Sequence, residues 1–284
     1  MKKLFPFVLT ASIALAVEAL AQVSKPSLIL QPPTPAAGDG FGTAVVAFGN
    51  DVLVGAPGDD SLAADAGAVY LFEGATGKLL RAFTNPSADA GDNFGSAIAV
   101  FGSTIVIGAP GEGSEVTDIG AAYLFDGNTG TLLDALLNPS PVEGDRFGSS
   151  IAISGNTIIV GTPFVDDRSP DGGAVYLFDL NTRQLQREIL LLEDDDFARF
   201  GTSVAAVGNG FVVGTPSDGD TRIASFGSVY FYDDISDQQP LYIPNPLFQS
   251  STNLQDSLRA DNNGFGQSVA AFGNNLLAGA PFNP

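Results

Sequence analysis

The sequence predicts an all-β fold, a β-propeller built from four-stranded antiparallel blades. Three observations lead to this prediction: one motif recurs along the 284-residue chain, short apolar runs alternate with turn residues, and no segment shows helical periodicity. The motif reads FGSSIAISGNTIIVGTP from Phe147, and variants begin at Phe41, Phe94, Phe200 and Phe265. We number these five copies one to five in chain order. Because the first four copies start 53 residues apart, the chain is predicted to be an array of equal supersecondary units.

Each complete copy contains four predicted strands. In copy three the first two are joined by Gly155-Asn156, a turn in which glycine supplies the positive φ of a tight hairpin. The third strand is the AVYLF run that ends at Phe178, and the fourth precedes an Asn-Pro pair, as in residues 79–86. Consecutive apolar residues, as in 158–160, indicate sheets that are covered on both faces. Four such strands repeated about one axis describe a propeller.

The recurring phenylalanine, glycine and proline positions are interpreted as structural rather than catalytic. The phenylalanines are expected to pack between neighbouring blades, the glycines to serve turns and strand ends, and the prolines to end the hydrogen-bonded ladder. These positions are Phe41, Gly42, Gly55, Pro57, Phe94, Gly95, Gly108, Pro110, Phe147, Gly148, Gly161, Pro163, Phe200, Gly201, Gly214, Pro216, Phe265, Gly266, Gly279 and Pro281.

The predicted ring does not close. Copy five stops after its second strand, and although residues 27–32 resemble a fourth strand, the third strand of that blade would still be missing. We therefore expect four complete repeats plus a partial fifth, from a fragment or a truncated ring. Most of the extra length before copy five lies at 235–263, which is the natural candidate for specificity.

Composition argues against several classes of function. The net charge of −20 repels phosphate backbones, so a nucleic-acid partner is not expected. The chain contains no Cys and no His, which removes thiolate chemistry and the commonest general base and metal ligand. No cofactor is predicted.

The first residues have the features of an export signal. Residues 1–21 contain two lysines, an apolar run and an Ala-Leu-Ala site, which together predict a secretory signal peptide. The run is shorter than the ~20 residues of a membrane span, so no transmembrane segment is expected. The propeller domain is therefore assigned to residues 22–284 of a secreted, cell-surface or periplasmic protein.

With Phe-Gly and Gly-[Ala/Thr]-Pro at constant separation in five copies, the chain resembles the FG-GAP repeat family, which includes the N-terminal β-propellers of integrin α chains. The resemblance covers residues 28–281. It implies a propeller fold and an extracellular or cell-surface binding role, without naming a ligand. The family's Asp-rich calcium loop between the first two strands is replaced here by short turns such as Gly155-Asn156-Thr157, so the family's calcium sites are not carried over.

Acidic residues collect in the loops that follow Gly-[Ala/Thr]-Pro. The candidates for binding are Asp59, Asp60, Asp166, Asp167, Asp218 and Asp220. Asp39, Asp92 and Asp145 precede the Phe-Gly of three copies. The favoured interpretation is that these loops are solvated, because no loop has the full spacing of calcium ligands. The alternative is weak Ca²⁺ binding by the loop carboxylates.

Three functions remain open on the sequence. The favoured one is an exported, non-catalytic interaction or adhesion module that binds a protein or glycan through its loops. A calcium-dependent, lectin-like adhesin is the first alternative. A glycosidase or lyase acting through paired carboxylates is the second, and it is disfavoured because the acidic residues recur in register from copy to copy.

Overall fold

A computed structural model describes residues 28–113, 117–191, 196–217, 227–246, 264–273 and 275–281. In these residues every regular element is a β-strand, so they contain no helix that could cross a bilayer. The strands are β1 Val45–Phe48, β2 Asp51–Ala56, β3 Ala68–Phe72, β4 Leu79–Thr84, β5 Ala97–Phe101, β6 Thr104–Ala109, β7 Ala121–Asp126, β8 Leu132–Leu137, β9 Ser150–Ser154, β10 Thr157–Thr162, β11 Ala174–Asp179, β12 Leu185–Leu190, β13 Ser203–Val207, β14 Gly210–Thr215, β15 Ser228–Tyr232, β16 Leu241–Pro244, β17 Ser268–Phe272 and β18 Asn275–Gly279.

Each of the first four copies forms one four-stranded sheet. The strand order follows the chain in every case, from β1-β2-β3-β4 to β13-β14-β15-β16, and all neighbours are antiparallel. In the described residues copy five forms the two-stranded sheet β17-β18. The prediction of four short strands per copy is therefore confirmed for copies one to four, and the sheets resemble propeller blades.

The first two strands of each copy form a tight hairpin. In copy three Ser154 pairs with Thr157, so the turn contains only Gly155 and Asn156. Gly155 has φ 55°, a left-handed conformation that glycine adopts without steric cost. The sequence-based prediction of a glycine hairpin turn is confirmed.

The middle strands are covered on both faces. Every residue of β10 is buried, as are the first five residues of β11, whereas only one residue of the outer strand β12 is buried. The unbroken apolar runs in the sequence reflect this double coverage.

Successive copies pack directly on each other. Parallel bridges join Gly67 to Phe94, Gly120 to Phe147 and Gly173 to Phe200. Phe94, Phe147 and Phe200 are fully buried there. Phe147, for example, lies in one cluster with residues of copies two and three, which confirms that it packs between neighbouring blades.

The start of the chain contributes no strand. Residues 28–32 resemble β4 and β8 in sequence but form no strand. The fourth strand of a complete copy pairs with the third strand of the same copy, and residues 28–32 precede copy one, so they have no such partner among the described residues. The predicted signal peptide, residues 1–21, lies outside the described residues.

Candidate functional site

The long connections of the array all lie at one end of the sheets. The second and fourth strands of a copy run in the same direction, so the loop leaving each of them starts at the same end. We call this end the long-loop face. Its loops comprise residues 57–67, 85–96, 110–120, 138–149, 163–173, 191–202, 216–227 and 245–267, in so far as they are described.

Main-chain hydrogen bonds tie each of these loops to the next copy. The carbonyl oxygens of Asp65, Asp118 and Asp171 accept from the backbone N–H groups of Asn93, Arg146 and Arg199, at 3.0, 2.9 and 2.9 Å. These three aspartates have φ of 52°, 55° and 48°. Aspartate tolerates this left-handed conformation better than most residues do. The loop aspartates therefore have a shared structural role.

Two of the predicted binding residues shape the loops that carry them. Asp60 Oδ1 accepts from the backbone N–H of Asp65 at 2.8 Å. Asp166 Oδ1 accepts from the N–H of Asp171 at the same distance. Both carboxylates remain exposed, as does Asp167. Of the remaining candidates, Asp218 and Asp220 lie outside the described residues.

Asp59 is buried and is not part of the exposed surface. Its carboxylate accepts from the Tyr70 hydroxyl at 2.5 Å and from the Ser61 N–H at 2.9 Å. Burial by itself raises the pKa of Asp59, but the hydrogen bonds from Ser61 and Tyr70 outweigh burial and lower it below the usual value. The interpretation as a solvated loop residue is wrong for Asp59, because a buried hydroxyl needs this acceptor.

The aspartates that precede Phe-Gly are also buried, again contrary to the solvated-loop interpretation. Asp39, Asp92 and Asp145 are 5%, 1% and 1% exposed. Asp145 Oδ2 accepts from the Asn138 side chain at 2.7 Å and from the Val142 N–H at 2.9 Å. Burial raises the pKa of Asp145, which the two hydrogen bonds oppose. Asp92 and Asp145 each fill a buried polar position beside a junction between copies, whereas Asp39 precedes copy one and accepts from the Ala36 N–H.

At the junction before copy two the equivalent pair is Asn85 and Asp92, and a second acid, Glu112, joins it. The Asn85 amide donates to both Asp92 Oδ2 and Glu112 Oε2, each at 2.7 Å. Ser87 Oγ donates to Glu112 at 2.6 Å and lies 2.7 Å from the Tyr123 hydroxyl. Burial raises the pKa of Asp92 to about 6, and the nearby Glu112 charge acts in the same direction.

Sequence reasoning did not identify Asn85 and Asn138 as partners of these aspartates. Both were seen only as the Asn-Pro pair that follows a fourth strand. The available signal was their constant separation of seven residues from the buried aspartate, |i−j| = 7 in both pairs. In copy four the corresponding residues are Leu191 and Ala198, which are buried in the apolar cluster of that junction.

A shallow cleft opens between two junctions on the long-loop face. Its volume is about 260 Å³, and it is lined by Asp65, Gly91, Asn93, Pro110, Gly111, Asp118 and Arg146. Arg146 Nη2 lies 3.2 Å from Asp118 Oδ2, and both side chains are about half exposed. The guanidinium of Arg146 also lies 5.4 Å from the ring centre of Phe164, and Arg199 lies 5.3 Å from the same ring. The cleft thus combines charged groups with main-chain hydrogen bonds that join the loops of neighbouring copies.

No group of three acidic side chains capable of holding a metal ion occurs in the part of the chain that the structure describes. The carboxylates of Asp59, Asp60, Asp92, Asp145 and Asp166 each accept hydrogen bonds from the protein instead.

Comparison with known proteins identifies a repeat family. A family model described as FG-GAP repeat matches residues 29–72, 82–125 and 136–178. No curated protein matches the chain. A solved structure, the crystal structure of the computationally designed Ika8 protein, matches with 20% identity and a TM-score of 0.40, over 61% of this chain and 42% of that one. This chain therefore spans less than half of that protein's length.

Proposed function

Because three of its copies match the FG-GAP repeat model, we propose that the chain is an exported, non-catalytic interaction module. In this proposal the sheets form an open or closed propeller, and the long-loop face binds an extracellular protein or glycan. FG-GAP repeats are typical of extracellular interaction domains, and the apolar, lysine-led residues 1–21 favour export.

The observation that carries this proposal is a repeated main-chain framework within which the loop sequence changes. Asp65, Asp118 and Asp171 make the same main-chain bond in three copies. The residues between these anchors differ: copy one has GDDSLAAD, copy two GEGSEVTD and copy three FVDDRSPD. Variable side chains on a fixed scaffold are typical of recognition surfaces.

Within this face, the cleft lined by Asp65, Asp118 and Arg146 is the binding position that we propose. Its acidic residues and single arginine favour a partner with hydroxyl and cationic groups, such as a glycan or a lysine-rich protein loop. The acidic net charge of the chain would also increase the association rate of a basic partner at low ionic strength.

The experiment is a binding screen on glycan and matrix-protein arrays, followed by titration of each hit against charge-neutral variants. Asp65→Asn and Asp118→Asn remove charge from the cleft, and asparagine accepts the left-handed backbone at both positions. Asp134→Asn is the matched control, because Asp134 is an exposed residue of the outer strand β8. We expect weaker binding by the two cleft variants and unchanged binding by the control. Equal affinities in all three variants would contradict the proposed location.

Calcium dependence is tested separately. Calorimetric titration of the chelated protein with Ca²⁺ would produce heat and a higher melting temperature if a calcium-dependent adhesin were correct. If neither appears while a ligand from the array still binds, the calcium-dependent alternative is removed and the interaction module stands.

The carboxylate pair of Asp92 and Glu112 is the one described feature that favours an enzyme. Neighbouring carboxyl groups in different environments can do acid–base work, and Glu112 has no counterpart in copy three, where Val165 stands. Asp92, however, is 1% exposed, and the Asn85 amide occupies both carboxylates. A substrate would have to displace Asn85, so we assign the pair to packing.

A further inference from the structure

A second pocket lies beside the outer strand β12, between copies three and four. Its volume is about 220 Å³. Copy three contributes residues 187–190 of β12 and the loop residue Arg168, and copy four contributes Tyr232, Gln238 and Pro240. We call it the rim pocket. None of these residues lines the cleft on the long-loop face, so the two positions are separate.

The guanidinium of Arg187 is held at the rim pocket by the main chain of copy four. Its Nη1 atom donates to the carbonyl oxygens of Ile235 and Asp237, at 3.2 and 2.6 Å. Its Nε and Nη2 atoms have no hydrogen-bond partner among the described residues, and neither atom is sealed from solvent. The two carbonyl groups therefore orient a guanidinium whose other nitrogen atoms can donate to a ligand.

Tyr232 brings a hydroxyl group without a partner to the same pocket. Its side chain is buried, with 3% exposed, and its ring stacks on Phe211 with the ring centres 4.5 Å apart. No group of the described residues forms a hydrogen bond with the hydroxyl. Burial raises the pKa of Tyr232, which the nearby Arg187 charge opposes, so the hydroxyl stays protonated at neutral pH. Buried hydroxyl groups normally have a partner, and a ligand atom in the rim pocket would supply one.

The two preceding junctions lack this hydroxyl. Tyr232 pairs with the first apolar residue of the second strand of copy four, and the residues in the same register of copies two and three are Phe125 and Phe178. Phenylalanine therefore fills this buried position without a polar group. Because both earlier junctions pack without the hydroxyl, it is not required for the packing of one copy on the next.

The arginine also differs between the junctions. The residues in register with Arg187 are Arg81 in copy one and Asp134 in copy two. Arg81 donates from Nη1 to the Thr129 carbonyl and from Nη2 to the Asn128 carbonyl, so both terminal nitrogens are already occupied. Among these three junctions, an arginine with an unoccupied terminal nitrogen beside a tyrosine hydroxyl occurs at the last one alone.

The remaining lining residues indicate the class of ligand. Arg168 and Gln238 are exposed, and neither side chain has a hydrogen-bond partner among the described residues. Two guanidinium groups and a phenol suit a carboxylate, which accepts paired hydrogen bonds from arginine. The net charge of −20 and the presence of Glu188 at the pocket disfavour an anion with several charges. The volume is below the usual lower limit of about 300 Å³ for small-molecule sites, so the pocket fits one sugar ring and not a longer chain.

We propose that the rim pocket binds the carboxylate of an acidic sugar of the uronic acid class. Arg187 and Arg168 contact the carboxylate, and the Tyr232 hydroxyl donates to it. The Gln238 amide, which can donate and accept, contacts a ring hydroxyl. An acidic side chain of a protein would offer the carboxylate but no hydroxyl group for Gln238, so the sugar is favoured. The proposal does not depend on the ligand of the long-loop face.

Calorimetric titration of the intact chain with methyl glucuronide tests the ligand class. Methyl glucoside, sulfate and N-acetylglutamate are the comparison ligands, because they offer the neutral ring, a simple anion and an amino-acid carboxylate. We expect methyl glucuronide to bind at millimolar concentration and each comparison ligand to bind more weakly. The absence of heat with methyl glucuronide would overturn the proposal. So would binding of sulfate or N-acetylglutamate as tight as that of methyl glucuronide.

Two variants test the location. Tyr232→Phe removes one hydroxyl and installs the residue that the other copies carry, and we expect it to weaken methyl glucuronide binding by about tenfold. Arg168→Gln changes an exposed side chain, and we expect it to weaken binding several-fold. Lys78→Gln is the control, because it removes the same charge from an exposed residue of copy one and should leave the affinity unchanged. Wild-type affinity in both Tyr232→Phe and Arg168→Gln would overturn the assignment to the rim pocket.

Discussion

The junction before copy three and the junction before copy four fill the same place with opposite chemistry. The first contains the buried pair Asn138 and Asp145, joined by a hydrogen bond of 2.7 Å. The second contains Leu191 and Ala198, which are 4% and 0% exposed. The comparison shows that this buried position between two copies needs side chains of suitable volume and does not need a particular functional group. The buried acids of the motif are therefore packing elements.

The backbone around the two fillings is nearly the same. Arg146 N–H donates to the Asp118 carbonyl, and Arg199 N–H donates to the Asp171 carbonyl, both at 2.9 Å. A parallel bridge to the motif phenylalanine follows in each case. A polar filling must satisfy every buried donor and acceptor, whereas an apolar filling only has to fit.

The largest expected effect concerns the aromatic residue that both junctions share. Phe147→Ala and Phe200→Ala should each lower the free energy of unfolding by about 3–5 kcal/mol, because both side chains are fully buried. Phe272→Ala is the control, since Phe272 is 77% exposed and should matter by less than about 0.5 kcal/mol. Denaturant unfolding gives all three values. If Phe147→Ala and Phe200→Ala lower the free energy of unfolding by clearly different amounts, the two junctions are not equivalent.

The second prediction places the polar pair of one junction in the other junction. Ala198→Asp places a carboxylate in an apolar cluster and should cost about 3 kcal/mol, and adding Leu191→Asn should restore part of that loss. Asp145→Ala should cost about 1–3 kcal/mol, because it leaves the buried Asn138 amide without its acceptor. A double-mutant cycle measures the coupling. If the effects of Ala198→Asp and Leu191→Asn on the free energy of unfolding simply add, the two positions are not coupled, and the account of a buried interacting pair is wrong.

A smaller effect is expected in the dependence of stability on pH. Burial raises the pKa of Asp92 from 3.8 to about 6, so the folded state binds this proton more tightly than the unfolded state. The contribution of Asp92 to stability is therefore fully present below pH 3.8 and is lost as the pH rises to about 6. Asp92→Asn should flatten the melting-temperature curve over this interval. The exposed Asp134→Asn variant should keep the wild-type slope, and an unchanged slope in Asp92→Asn would refute the assignment.

Much of the fold was predictable because each copy repeats its local signals. Gly155-Asn156 marked a hairpin turn, and the unbroken run 158–160 marked a doubly covered strand. Repetition also allowed Phe147 to be placed between copies. Residues 28–32 share the apolar pattern of a fourth strand but form none, because a strand also needs a neighbouring strand to satisfy its backbone groups.

The site was harder to predict, since charge alone does not reveal burial. Asp59 and Asp60 are adjacent in sequence, yet the first is buried against Tyr70 and the second remains exposed. That difference depends on which side chain turns towards the sheet, a property of the folded loop.

The central claim is that the repeated motif builds junctions between copies, and a pair of glycine substitutions tests it most directly. A Cβ on Gly108 would lie 2.1 Å from the Gly148 carbonyl oxygen in the next copy, whereas the atom nearest to a Cβ on Gly279 would be the movable Ser268 Oγ of the same copy, at 2.3 Å. The measurement is the free energy of unfolding of Gly108→Ala and Gly279→Ala in dilute protein. We predict a loss of about 3 kcal/mol or more for Gly108→Ala and less than about 1 kcal/mol for Gly279→Ala. Equal losses for the two variants would contradict the account.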